Sequence, residues 1–245
     1  MKLRRVYYQV IISIFLILSL LFTNLSCTVK ASNIKDSGEK VIYLTFDDGP
    51  IPRITEDVLD ILKKYEVKAN FFVVGKEIKG REHILKRIYE EGHGIGLHTY
   101  THKFSSIYKS DEEFIKEMDA TRDLVKEVIG VDTGAIRFPG GSDLMLSQRL
   151  LQKLHERDYR VYDWNANLED GLKKGLSVNT LVENAKKIKG DKSRVFLLAH
   201  CNSNNRNTCK ALPAIIEYYK KEGYIFRVID ENTEEYYFKI RKNKN

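Results

Sequence analysis

The sequence predicts an α/β protein in which parallel strands lie beneath helices. Short apolar runs with strand character recur along the chain between residues 41 and 229. Between these runs lie stretches with apolar residues three and four positions apart, the spacing of an amphipathic helix. Strands that alternate with helices in this way form parallel sheets covered by helices. At 245 residues the chain is long enough to bury a sizeable core.

Each element has its own signal. The first strand, VIYLTF, is a continuous apolar run, and Gly49-Pro50 marks the turn behind it. The first helix, TEDVLDILKKY, has amphipathic spacing, and the last helix ends in Lys-Lys-Glu-Gly, a stop signal. The predicted strands are residues 41–46, 69–74, 94–98, 135–138, 160–164, 194–199 and 225–229. The predicted helices are residues 54–65, 80–91, 111–129, 145–157, 178–189 and 210–222.

The amino terminus has the pattern of an export signal. Three basic residues precede the apolar run VIISIFLILSLLF, and Ala31 is a suitable cleavage position. Residues 1–31 are therefore predicted to be a signal peptide or a retained membrane anchor, with lipidation at Cys27 as an alternative. Residues 32–40 are predicted to be a linker and 41–240 a single folded domain. We expect an exported protein that is secreted, in the cell wall, or anchored to the outer face of the cytoplasmic membrane.

Charge argues against one class of partner. The total is +7, and residues 1–31 hold four basic residues and no acid, which leaves +3 for the rest. A net charge of +3 over the rest of the chain is too weak for nucleic-acid binding, which needs a concentrated basic face.

We expect the protein to be a monomer. Cys201 and Cys209 remain after cleavage, and the sequence leaves their pairing open.

Ionisable side chains gather where the predicted strands end. In closed βα arrangements, the carboxyl ends of the strands hold the chemistry. The groups are Asp47 and Asp48 after the first strand, His98 and His102 after the third, Arg137 near the end of the fourth, Asp163, Asn167 and Asp170 after the fifth, and His200 after the sixth. Five of the seven strand ends therefore have groups that bind metals or move protons.

Two of these groups predict a metal site. Adjacent carboxylates such as Asp47 and Asp48 repel each other, and a nearby cation relieves the repulsion. His98 and His102 have the spacing of a metalloprotease motif, but Thr99 stands where that motif has its Glu base. Two imidazoles, one carboxylate and a position left for water form a catalytic zinc set. We expect a divalent metal, Zn²⁺ first, with Co²⁺ or Ni²⁺ also compatible.

The remaining groups supply proton transfer. A bound cation lowers the pKa of a coordinated water, and the second carboxylate accepts a proton as that water attacks. Arg137 would keep this carboxylate ionised. His200 would protonate the leaving group. Together these parts suit the hydrolysis of an amide or an ester.

The motifs resemble those of the polysaccharide deacetylases of carbohydrate esterase family 4, the NodB homology domain. They are TFDDGP, HTYTH, RFPGG, NLEDG and LLAH, and the resemblance runs from Val41 to Val228. It implies a distorted (β/α) barrel of about seven parallel strands. It also implies the removal of N-acetyl or O-acetyl groups from sugars with zinc or a similar divalent metal.

The resemblance assigns roles position by position. Asp47 would be the base, His200 the acid, Arg137 the partner that holds Asp47, and Asp170 the partner of His200, with Asp163 as a competitor for that place. Asp48, His98 and His102 would bind the metal.

The resemblance also implies substrate contacts. Leu198 would line the pocket for the acetyl methyl group, and the backbone N–H of Gly140 would face the oxyanion. Trp164 is a further candidate contact. Two glycines depart from the family pattern: Gly140 stands where Tyr is common, and Gly171 stands where Trp is common.

The sequence therefore predicts a metal-dependent enzyme that removes N-acetyl groups from a GlcNAc-containing polysaccharide, with peptidoglycan as the first choice and chitin-type polymers as another. Its partner would be an acetylated glycan. One alternative is an O-acetyl esterase of the xylan type. Another is an inactive wall-binding protein, against which the complete set of Asp47, Asp48, His98, His102 and His200 argues.

Overall fold

The computed structural model describes residues 38–143, 145–173 and 175–240. The predicted leader at 1–31 and linker residues 32–37 lie outside this part, whereas Lys40 already belongs to the first strand. Within the described ranges, no helix has the length and apolar character needed to cross a membrane.

All paired strands run parallel in one sheet that curls into a half-barrel. The strand order is β5-β4-β3-β2-β1-β7-β6, and β8 lies beside β1. The strands are β1 (Lys40–Asp47), β2 (Asn70–Val73), β3 (Gly94–Leu97), β4 (Ala135–Ile136), β5 (Arg160–Val161), β6 (Ala166–Asn167), β7 (Arg194–His200) and β8 (Tyr224–Phe226). The predicted α/β barrel is confirmed. The sequence missed β6, because its two residues lie within a polar stretch without an apolar run.

The helices follow the predicted order closely. They are α1 (Ile54–Lys64), α2 (Gly75–Ile78), α3 (Glu82–Glu90), α4 (Phe104–Ile107), α5 (Asp111–Ile129), α6 (Gln148–His155), α7 (Val178–Ala185) and α8 (Arg206–Lys221). The one-turn helices α2 and α4 are too short to have a periodic pattern. Serine N-caps at Ser110, Ser147 and Ser177 begin α5, α6 and α7.

Strand β1 is the centre of the sheet. Its first three residues pair with β8, its last three pair with β2, and its other edge pairs with β7 along most of its length. The register with β7 places Asp47 opposite His200. Two groups that are distant in sequence are therefore neighbours at the carboxyl end of the sheet.

Two apolar layers stabilise this arrangement. The larger one lies between the sheet and the helices and includes Leu44, Phe46 and Leu197. The smaller one fills the concave side of the sheet with Tyr43, Phe72, Tyr162 and Phe196. Successive strand residues point to opposite faces, so the interior face of β1 presents first Tyr43, then Thr45 and finally Asp47. These aromatic side chains therefore lie inside the half-barrel, directly below the polar residues at the strand ends.

Candidate active site

The Asp-Asp pair separates at the end of β1. Asp47 belongs to the strand and is 2% exposed, whereas Asp48 is half-buried and has a left-handed backbone with φ of 74°. The turn behind it needs glycine, because a Cβ on Gly49 would lie 2.8 Å from the Cys201 sulfur. The bend lets the two neighbouring carboxylates take different partners.

Asp48 faces the two histidines that follow β3. Its Oδ1 lies 3.3 Å from His102 Nε2 and 3.7 Å from His98 Nε2. The ligand atoms of these three residues all lie within 4.8 Å of one another. One carboxylate oxygen and two imidazole nitrogens at such spacing fit a divalent cation with an open position for water or substrate.

Protonation states favour this role. Burial works against a charged Asp48, but the charges of His98, His200 and His102 outweigh it, so the pKa of the Asp48 carboxyl is lowered. Burial, aided by His98, lowers the pKa of His102. His98 Nδ1 lies 2.8 Å from the Arg137 carbonyl oxygen, so it donates there and leaves Nε2 free. An ionised carboxylate and neutral imidazoles are the forms that bind metals.

Asp47 is held by a fully buried arginine. Arg137 Nη1 donates to Asp47 Oδ1 at 2.9 Å and to Thr45 Oγ1 at 2.7 Å. The remaining guanidinium donors reach the carbonyl oxygens of Tyr162 and Asp163, and Phe72 lies beneath the cation at 4.1 Å. A buried ion pair persists only when its hydrogen bonds are satisfied in this way. Asp47 Oδ2 remains directed toward the histidines, 3.6 Å from His98 Nε2.

His200 pairs with Asp170 on the opposite side of the site. Its Nδ1 donates to Asp170 Oδ1 at 2.8 Å. Asp170 Oδ2 accepts from the His200 backbone N–H, from Asn205 Nδ2 and from Thr208 Oγ1. Burial favours neutral His200, but the hydrogen bond and charge of Asp170, together with Asp47 and Asp48, raise the pKa of His200 to about 9. The imidazole is therefore a proton donor at neutral pH.

Asp163 has a different environment. Its carboxylate accepts from the hydroxyl and the backbone N–H of Ser142 and from the backbone N–H of Phe238. Burial raises the pKa of the Asp163 carboxyl. Of the two aspartates considered for His200, only Asp170 contacts it within the described residues. Asp163 instead ties the turn after β4 to the carboxyl-terminal segment.

The predicted substrate residues occupy three positions. Leu198 is buried on the interior face of β7, two residues before His200 and in register with Thr45. Gly140 is exposed in the turn after β4 with φ of 80°. Trp164 is half-buried, and its ring packs edge-on against Phe238 at 5.1 Å. Leu198 thus lies one layer below the acid–base groups, and the other two lie in the loops that follow β4 and β5.

Gly171 is adapted to its neighbour. A Cβ at this position would overlap the imidazole ring of His200. The glycine therefore allows His200 to lie directly against the backbone of the loop that holds Asp170.

The structure settles the cysteine question. Cys201 and Cys209 are both buried free thiols. Burial raises the pKa of the Cys201 thiol, which therefore stays protonated and lies 3.3 Å from the Asp47 carbonyl oxygen. It is a packing residue behind the site.

Several site residues had no signal in the sequence. Thr45 lies within an apolar strand, and Asn205 and Thr208 lie at the start of α8, ahead of the predicted helix. Glu117 lies in the middle of α5, where a charged residue is ordinarily solvated. Each is recognisable only after folding, when its side chain meets a distant partner.

Comparisons with known proteins agree with this geometry. The family profile described as polysaccharide deacetylase matches residues 34–162. A peptidoglycan-N-acetylglucosamine deacetylase from Bacillus cereus is 32% identical over 79% of this chain and 71% of its own length. A peptidoglycan-N-acetylmuramic acid deacetylase from Bacillus subtilis is 31% identical, again over 79% of this chain and 71% of its own length.

A solved structure agrees as well. The crystal structure of a polysaccharide deacetylase from Bacillus cereus is 31% identical and superposes with a TM-score of 0.73, over 82% of this chain and 96% of that one. The profile, the relatives and the fold all lead to one assignment. The chain belongs to the polysaccharide deacetylase family.

Proposed function

We propose that the protein is a metal-dependent hydrolase that removes N-acetyl groups from the GlcNAc residues of peptidoglycan. The observation that supports this most directly is that the adjacent Asp47 and Asp48 have different partners. Asp48 lies with His98 and His102 in a group whose ligand atoms are spaced to fit a cation, while the neighbouring Asp47 is held apart by Arg137. The peptidoglycan deacetylases among the relatives support the choice of polymer.

Asp48, His98 and His102 would bind the cation. A divalent ion at this position supplies Lewis acidity, which polarises the acetyl carbonyl and lowers the pKa of water. The two-nitrogen, one-oxygen donor set suits Zn²⁺ and is also compatible with Co²⁺ and Ni²⁺.

Asp47 would act as the general base. Arg137 occupies Oδ1, so Oδ2 is the oxygen free to accept a proton from the attacking water. His200 would act as the general acid and transfer its Nε2 proton to the leaving nitrogen, while Asp170 fixes Nδ1. The acid and the base lie on adjacent strands in register.

Substrate contacts would come from the loops above these groups. The backbone N–H of Gly140 would stabilise the oxyanion, a contact worth about 3 kcal/mol. Leu198 would receive the acetyl methyl group, and Trp164 would contact the sugar.

Phe104 is a further candidate for the sugar-binding surface. Its ring is 53% exposed and packs edge-on against His102 at 5.7 Å. A Cβ on Gly140 would lie 3.3 Å from this ring, so Phe104 covers the space that a larger residue at position 140 would enter.

Two other substrates remain as candidates. The relative that acts on N-acetylmuramic acid makes that neighbouring sugar of peptidoglycan an alternative. O-acetylated glycans are a second one, because ester and amide hydrolysis pass through similar tetrahedral oxyanions. We further propose that the protein acts outside the cytoplasm as a monomer, with residues 1–31 directing export or anchoring it to the membrane.

The test is acetate release by the purified protein. The protein would be stripped with a chelator and reloaded with Zn²⁺, Co²⁺ or Ni²⁺ singly. Each form would be offered peptidoglycan, chitin oligomers and acetylxylan. We expect metal-dependent release from peptidoglycan, and release from acetylxylan alone would contradict the proposal.

The Asp47→Asn variant separates the base from the metal site. We expect it to bind the same metal while its turnover falls about 10²-fold to 10⁴-fold. Unchanged acetate release would show that another group accepts the proton.

A further inference from the structure

We propose that Glu117 is a positioning residue that fixes the loop between His98 and His102 and thereby sets the affinity for the cation. The proposal rests on the metal site described under the proposed function. It concerns a helix residue that neither binds the metal nor contacts substrate.

The Glu117 carboxylate is directed from α5 into this loop. Its Oε2 accepts from the backbone N–H of Tyr100 at 2.8 Å and from that of Thr101 at 2.6 Å. Its Oε1 accepts from the Thr101 hydroxyl at 2.8 Å. The residue is only 9% exposed. Hydrogen bonds from N–H groups to a carboxylate are among the stronger ones in proteins, so a single side chain holds two of the three amides between the histidines.

The loop needs such a restraint because its backbone is strained. Thr99 has φ of 63° and His102 has φ of 54°. Left-handed conformations are unusual for non-glycine residues, and for a β-branched residue such as Thr99 they are rarer still. Residues in this conformation are strained and persist only when the surrounding structure holds them there.

The opposite side of the loop is held by α2. The N–H of Gly75 donates to the Thr99 carbonyl oxygen at 3.0 Å, and the N–H of Lys76 donates to the Tyr100 carbonyl oxygen at 2.9 Å. These contacts restrain the carbonyl groups, whereas Glu117 restrains the amide groups. The loop is therefore clamped between two helices, by backbone N–H groups of α2 on one side and by the Glu117 side chain on the other.

The clamp determines where the two imidazoles lie. Their ring centroids are 5.0 Å apart, and Asp48 Oδ1 is within 3.7 Å of both Nε2 atoms. Metal ligands must be placed to within about 0.2 Å of their ideal distances. Loss of groups that orient metal ligands typically weakens metal binding about 10-fold to 100-fold.

The experiment compares zinc affinity of the full chain and its variants by competition with a chromogenic chelator, without substrate. Glu117→Ala removes all three hydrogen bonds, and we expect its Kd for zinc to rise about 10-fold to 100-fold. Glu117→Gln keeps one oxygen for the two amides and an NH₂ group near the Thr101 hydroxyl, so we expect it to restore most of the affinity. Hydrogen exchange of a peptide covering Tyr100 and Thr101 should accelerate in Glu117→Ala.

Asp119→Ala is the matched control. Asp119 lies two residues further along α5 and accepts a hydrogen bond from Tyr159, away from the histidine loop. We expect this variant to lose stability without any change in zinc affinity.

Zinc affinity in Glu117→Ala within twofold of wild type, or a loss equal to that in Asp119→Ala, would overturn the assignment. If Glu117→Ala does not fold, Glu117→Asp decides, because it withdraws the carboxylate by one methylene and must also weaken zinc binding. A wild-type chain that does not bind zinc, cobalt or nickel would overturn the metal site itself, and the role of Glu117 with it. Normal wild-type binding with unaffected variants overturns only the role of Glu117.

Discussion

Two histidines at opposite ends of the sheet, half-buried His200 and buried His93, show how differently one side chain is used. His200 follows β7 and donates to Asp170 at 2.8 Å, and its pKa is raised to about 9. His93 precedes β3, and its Nε2 lies 3.9 Å from Glu91 Oε2 without a hydrogen bond. Burial, with the charge of Lys68, lowers the pKa of His93 to about 4.

The difference shows that burial alone does not produce an acid. Burial opposes the charged form at both positions, and only a hydrogen-bonded carboxylate reverses the outcome. His93 instead accepts a hydrogen bond from the backbone N–H of Ala69 and borders a cavity of about 930 Å³ at the amino ends of the strands. The volume of that cavity therefore does not mark the reactive end of the molecule.

The largest expected effect tests whether the two histidines differ in function. His200→Gln should lose about 10²-fold to 10⁴-fold in kcat, because it removes the proposed proton donor for the leaving nitrogen. His93→Gln, which keeps an acceptor for the Ala69 N–H, should retain wild-type kcat. Steady-state acetate release measures kcat for both variants. Equal losses of kcat would show that the two histidines do not differ in function.

The next prediction concerns a variant in which the pKa of His200 should fall, as the pKa of His93 does in the wild-type protein. Asp170→Asn removes the largest influence that raises the pKa of His200, so that only the charges of Asp47 and Asp48 still oppose burial and the pKa should fall. An acid must be protonated to act, so the alkaline limb of the kcat profile should move to lower pH. We expect a loss of about 10-fold to 100-fold at neutral pH, of the size seen when an orienting partner of histidine is removed. An unmoved alkaline limb would show that His200 is not the group that titrates.

A smaller effect is expected at Gly171. Alanine there would force the imidazole of His200 away from the backbone and lengthen its bond to Asp170. We expect about a tenfold loss in kcat with little change in KM, in line with the cost of a misplaced catalytic group. Alanine at Gly175, where a Cβ would meet no atom within 4 Å but φ is 74° and alanine is strained, is a control for kinetics and not for stability. Equal kinetics for the two variants would mean that the ring moves without penalty.

The last prediction concerns stability rather than activity. The pKa of unfolded histidine is about 6.5, so His93 should cost roughly 3 kcal/mol of stability as pH falls from 6.5 to 4. For His200 the sign is opposite: its contribution is complete below pH 6.5 and is lost as pH rises to about 9.

Denaturant unfolding of the metal-free protein across this pH range measures both slopes. His93→Gln should flatten the acid slope, and His200→Gln should flatten the alkaline one. If the free energy of unfolding of His93→Gln still falls as the pH is lowered, another group causes the loss of stability at acid pH.

The sequence was informative where one pattern determines one position. Apolar strands followed by ionisable residues predicted the places of Asp47, His98 and His200, because parallel strands bring their carboxyl ends to one edge. The sequence was uninformative where a polar side chain hydrogen-bonds to a residue of a distant helix, strand or loop. Asp163 and Asp170 were both offered for His200, and only the folded chain shows that Ser142 and Phe238 take the first.

Charged and polar residues within helices gave the least information. The helical pattern of α5 predicts the helix, but it does not distinguish Glu117, which turns inward, from its solvated neighbours. Burial of His93 has no local signal either, because the residue lies between two glycines and has no apolar period around it. Such positions depend on tertiary contacts that a local pattern does not encode.

The pairing of β1 with β7 has a consequence for how activity appears during folding. Cys201, the residue after His200, contacts the Asp47 carbonyl across 154 positions of the chain. Contacts of such separation form slowly, because a long loop must close before they stabilise anything. In a refolding experiment, helix content should therefore recover before acetate release does. Helices form through local contacts, whereas Asp47 and His200 come together only when β7 pairs with β1.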